Sequence, residues 1–131
     1  MSQVPPDLQY TRTHEWVRTR HDGTLEIGIT DHAQQALGDL VFVEAAQPGR
    51  NVAAGGTLTV VESVKAASDV YSPVAGIVTT GNPRLTGEPE LINKDPYGEG
   101  WLVRLTPAAG GEIAALLTSA EYQALLASEG E

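Results

Sequence analysis

The segment Thr57-Leu58-Thr59-Val60-Val61-Glu62-Ser63-Val64-Lys65-Ala66-Ala67-Ser68-Asp69-Val70-Tyr71-Ser72-Pro73 is the place to begin, because the rest of the chain can be read outward from it. Thr57–Val64 is nearly continuous in Val, Thr and Leu, residues that fit a pleated, half-buried strand. Ala67–Ser72 supplies a partner strand, and Pro73, which cannot donate to a ladder, ends it. The pattern predicts a hairpin over about residues 57–72 with Lys65 at its tip. Val64-Lys65-Ala66 contains no Gly, Asn or Asp, so the strongest two-residue turn chemistry is missing and the pairing rests on periodicity. A lysine at such a tip is solvated and sterically open. Its ammonium rides on a flexible four-carbon stem, which suits a tether whose far end must travel. On spacing alone, a routine surface lysine guarding a turn or sheet edge accounts for the same pattern.

Upstream, His14–Arg20 and Thr24–Thr30 alternate as two strands around His21-Asp22-Gly23, where Asp-Gly is a strong hairpin signal. A helix of about two turns follows, with Asp31 as its cap, Gln34 completing a capping box and Gly38 at a left-handed exit. Leu40–Ala45 reads as a short strand closed by Pro48-Gly49. Downstream, a turn at Ala75-Gly76 leads into a strand over Ile77–Thr80. Arg84–Gly100, broken by prolines and acids, reads as a long ordered loop or lid, and Trp101–Leu105 as a last strand. Thr118 and Glu121 form a second capping box for a C-terminal helix over about 118–128, with Tyr122, Leu125 and Leu126 on one face. Short strands, frequent turns and two small helices predict an all-β fold with small helices, a flattened β-sandwich or barrel. No domain boundary is evident, so residues 1–131 are expected to form a single domain.

There is no Cys, which removes a disulfide framework, a thiolate zinc site and a cysteine nucleophile together. His14, His21 and His32 show no His-x-x-x-His or other paired-ligand spacing, so no metal is expected and they read as solvated or hydrogen-bonded surface groups. Trp16 and Trp101 read as packing residues. The N-terminus lacks a basic and then apolar leader, and no apolar run approaches the ~18 residues of a membrane helix, so a soluble cytoplasmic protein is expected. The net charge of −9 opposes binding to nucleic acid or an anionic membrane and suits partners with basic surfaces. Nothing resembles a Ser/His/Asp set, a phosphate-cradling Gly loop or a catalytic carboxylate pair, so a non-catalytic protein is expected.

Glu62 through Gly76 resembles the lipoyl-attachment segment of glycine cleavage H proteins. Further blocks agree in order: Tyr10-Thr11 with His14-Glu15-Trp16, Gly28–Gln34, Leu37–Glu44, Pro89–Trp101, and Glu121-Tyr122. Glu44-Ala45-Ala46-Gln47-Pro48, and Pro83 after Asn82, depart from the usual pattern without touching the lysine segment.

The resemblance implies a barrel-sandwich hybrid related to lipoyl and biotinyl domains, with lipoate in amide linkage to Lys65. It implies an aminomethyl carrier serving glycine decarboxylase (P protein), aminomethyltransferase (T protein) and dihydrolipoyl dehydrogenase (L protein). Glu15 and Asp69 fall at the cleft positions that meet the loaded arm, and Glu62 and Gly76 at positions that help the lipoylating enzyme recognise the hairpin. Acylation of Lys65 would shift the formal charge from −9 to −10. Biotin carriers usually flank their lysine with methionines, and lipoyl domains of 2-oxoacid dehydrogenases usually read Asp-Lys-Ala. Here Val64 and Ala66 flank it. A relay protein that donates lipoyl groups to other complexes stays open as an alternative.

Overall fold

The computed structural model describes residues 2–108 and 116–130. Two antiparallel sheets form a flattened sandwich. The larger has strand order β1-β2-β3-β9-β8-β5 and the smaller β4-β6-β7. In chain order the strands are β1 (Gln9–Tyr10), β2 (Glu15–Thr19), β3 (Leu25–Ile29), β4 (Leu40–Val43), β5 (Asn51–Val52), β6 (Thr57–Ser63), β7 (Ala67–Tyr71), β8 (Gly76–Gly81) and β9 (Val103–Pro107). Helices α1 (Asp31–Leu37), α2 (Leu91–Lys94) and α3 (Ser119–Ser128), with a 3-10 turn at Pro83–Thr86, complete the described elements.

The main core lies between the sheets, where Ile27, Leu105 and Val78 of the larger meet Leu58, Val61 and Val70 of the smaller. A second core forms where α3 lies on Leu8, Tyr10 and Trp16 through Tyr122 and Leu126. The Tyr10 and Tyr122 rings stack with centroids 4.7 Å apart, and Trp16, fully buried, donates its indole N–H to the Pro96 carbonyl at 2.9 Å. Burying a tryptophan this completely contributes about 3–5 kcal/mol on the scale of truncation to alanine. Across three adjacent strands the buried Glu26 carboxylate accepts from Arg18 at 2.8 Å and from Arg104 at 3.0 Å, so its charge is not left unpaired.

Several local expectations are corrected. The cap of α1 is Thr30, not Asp31: its hydroxyl accepts from the Ala33 amide, and Tyr122 packs on it through a 2.7 Å hydrogen bond. Both residues are good capping types, and burial under α3 selects the threonine. Residues 84–100 are not a bare loop but include most of the 3-10 turn, capped by Asn82, and all of α2. Pro83 there occupies the first helical position, where a missing N–H costs nothing. Gly76 is not at a turn but begins β8, where a Cβ would run into the Thr106 carbonyl oxygen. The last strand starts at Val103, two residues later than Trp101.

Gly76→Ala is therefore expected to destabilise the fold by about 1–3 kcal/mol, the usual overpacking range, read as a lower urea midpoint. An unchanged midpoint would show that β8 and β9 yield without strain.

Candidate functional site

β6 and β7 are joined by the four-residue turn Ser63–Ala66, closed by Ser63 N–H donating to the Ala66 carbonyl at 2.8 Å. With no glycine or Asn/Asp in the turn, the Ser63 hydroxyl oxygen does the work, accepting from the amides of Lys65 and Ala66, both at 3.1 Å. A serine opening a turn acts this way because its short side chain folds back on the following amides. In the sequence, Ser63 directly before Val64-Lys65-Ala66 is the local signal of this turn.

The tip is braced from the side. Val64 N–H donates to the Asp39 carbonyl at 3.1 Å, and the neighbouring Gly38 and Leu40 are held by Asn93 of α2. The Asn93 amide accepts from Leu40 N–H at 2.9 Å and donates to the Gly38 carbonyl at 3.0 Å. Gly38, at φ +82, exits α1 in a conformation costly for other residues, and the Lys65 stem passes beside it. Lys65 itself is exposed. Around it lie uncovered apolar side chains: Val64 is 68% exposed, Val41 54% and Phe42 52%. Phe42 of β4 pairs with the exposed Glu62 of β6.

β7 runs from this turn toward Glu15. Glu15 is buried at the start of β2, with one carboxylate oxygen accepting from the Thr11 and Thr13 hydroxyls and the other from Tyr71 N–H at 3.3 Å. It thus bridges the two sheets. Burial raises its carboxyl above the ordinary carboxylate range, and the hydrogen bonds from Thr11, Thr13 and Tyr71 oppose that rise. Thr11, Thr13, Glu15, Tyr71 and Pro73 line an open cleft of about 480 Å³.

Of the candidate site residues, Glu15 is in the cleft. Asp69 is exposed on β7, two residues before Tyr71 and outside the cleft lining. Glu62 is exposed one residue before the turn, whereas Gly76 is buried in the larger sheet. The chain has two lysines, Lys65 and Lys94, and both are exposed. Lys94 closes the last turn of α2, while Lys65 sits on the braced hairpin tip. Although no ligand spacing along the sequence links the histidines, the fold brings the rings of His14 and His32 to 4.7 Å between centroids.

The sequence model of the glycine cleavage H-protein family matches residues 8–129. The chain belongs to that family. It is 58% identical to a glycine cleavage system H protein of Halorhodospira halophila, over 99% of this chain and 100% of the relative. It is 56% identical to one of Alkalilimnicola ehrlichii, over 98% and 99%. A crystal structure of a glycine cleavage system H protein from Mycobacterium marinum superposes with a TM-score of 0.85 at 38% identity, covering 95% of this chain and 99% of that one. The H-protein fold is thus common to both.

The raised carboxyl of Glu15 gives a signed expectation. A carboxyl whose native-state pKa is raised contributes stability at low pH and loses that contribution as pH rises from the ordinary value through the raised one. Glu15→Gln, neutral throughout, is expected to gain stability relative to the parent across that interval, measured by urea denaturation at successive pH values. A difference between the two proteins that stays constant with pH would contradict the elevated carboxyl.

Proposed function

We propose that this H-protein family member is the lipoyl-bearing carrier of the glycine cleavage system, with lipoate in amide linkage to Lys65. It carries the aminomethyl group from glycine decarboxylase to aminomethyltransferase and reducing equivalents to dihydrolipoyl dehydrogenase, and it contributes position and charge rather than a catalytic step. The observation that carries this reading is the placement of Lys65. Its amine stands in solvent on a turn fixed by Ser63 and braced through Asp39 and Asn93. A lipoylating enzyme requires such an amine, reachable and presented in one frame.

When bound, the lipoyl dithiolane supplies the redox and group-carrying chemistry. The chain's own residues supply the berth. Thr11 and Thr13 hold the Glu15 carboxylate in one orientation at the cleft wall, and Tyr71 N–H pins its second oxygen. A cationic amine brought into the cleft favours ionised Glu15 and offsets the effect of its burial. Asp69, exposed on the strand between the turn and the cleft, adds negative charge along that path. Glu62 and the apolar Phe42 and Val64 flank the lysine and form the surface offered to the lipoylating enzyme and to partner enzymes. Gly76 acts from within the sheet, by allowing β8 and β9 to approach.

Lys65→Arg is expected to keep the parent's urea midpoint, to accept no lipoate, and to abolish glycine decarboxylation in a mixture reconstituted with the three partner enzymes. Decarboxylation supported by the unlipoylated variant would overturn the assignment. If the lipoylated parent supported no decarboxylation but passed its lipoyl group to other complexes, the relay reading would replace the carrier reading.

A further inference from the structure

We propose that His14, His32 and Glu129 form a binding site for a divalent transition metal of the zinc type, apart from the lysine hairpin and the Glu15 cleft. One ligand atom from each residue lies within 4.8 Å of the other two. His14 Nε2 and the Glu129 carboxylate are 3.3 Å apart. A tetrahedral zinc ion with bonds of about 2.0–2.1 Å places neighbouring ligand atoms roughly 3.3 Å from each other, so this edge is already at the required length.

The outer shell is also in place. His14 Nδ1 lies 2.8 Å from the Tyr122 hydroxyl, which is 2.7 Å from the Thr30 hydroxyl in a buried network. With Nδ1–H donating to Tyr122, the lone pair falls on Nε2, the nitrogen that faces Glu129. A metal-binding imidazole is normally oriented by such a second hydrogen bond. The backbone points the same way. His14 is the one non-glycine among the described residues at positive φ, +72, and is held there by His14 N–H to the Thr11 carbonyl and Thr30 N–H to the His14 carbonyl. Histidine tolerates this region better than most side chains, yet strained backbone concentrates at functional sites.

The three ligands come from the turn before β2, from α1 and from the residue that caps the C-terminus of α3. Metal would therefore cross-link three separate segments and clamp the terminal helix over the Tyr10–Trp16 core. Two imidazoles and one carboxylate leave a fourth position for water at a partly exposed surface. The competing account is an ion pair of His14 with Glu129, with the His32 ring packed at a tilt against that of His14. That account needs no metal.

Isothermal titration of the untagged, full-length protein with Zn²⁺ separates the two. The expected result is one saturable equivalent, a Zn²⁺-dependent rise in Tm, and a shift of the His14 and His32 imidazole NMR signals but not those of His21. His32→Asn at a half-buried position and Glu129→Gln at an exposed one are each expected to weaken binding by at least about tenfold. Absence of saturable binding would overturn the site, as would one-equivalent binding that both variants leave unchanged.

Discussion

The hairpin of β6 and β7 is buried at its base and bare at its tip, and the candidate site depends on that gradient. Leu58, Val61 and Val70 anchor it in the core between the sheets, while Val64, Lys65, Ala66 and Ala67 stand in solvent. A tip held only by strand pairing would fray, since the last ladder pair of a hairpin has water on both sides. Here the Ser63 hydroxyl takes two amides, and the Asp39 carbonyl takes a third. Each such bond is worth about 0.5–1.5 kcal/mol net, enough in sum to favour one arrangement of the turn. The backbone is fixed while the lysine stem keeps its rotamers. A carrier that must be read by an enzyme and then move its cargo needs that division.

Glu15 performs the complementary task. It lies where the two sheets meet, so its carboxylate is both a structural bridge to Tyr71 and the acidic wall of the cleft. Two effects oppose each other there. Burial favours the neutral acid, and the hydrogen bonds from Thr11, Thr13 and Tyr71 favour the anion. Burial wins, so the group is poised to gain from an incoming cation more than a solvated carboxylate would.

Much of this was legible in the sequence because the patterns are local. Val and Thr runs marked β6, Asp22-Gly23 marked the first hairpin with Gly23 at φ +87, and Thr118 with Glu121 form the capping box that starts α3. The failures share a cause, which is that contact between distant segments decided the outcome. Thr30 outcompeted Asp31 as a cap because Tyr122, 92 residues away, packs on it. Gly76 is required by Thr106 of the neighbouring strand, not by its own turn. The cluster of His14, His32 and Glu129 has no sequence spacing to betray it. The burial of Glu15 at the cleft likewise has no mark in its immediate sequence neighbours. Ser63 is different: its role is local, and the signal of a serine at the first position of a turn was present.

The central claim is that one lysine of two is the attachment point. Peptide-resolved mass spectrometry of the protein purified from its native source tests it most directly. The account predicts a lipoyl mass increment on the peptide containing Lys65 and none on the peptide containing Lys94. A lipoyl increment on Lys94 with Lys65 unmodified, or a biotinyl increment on Lys65, would contradict it.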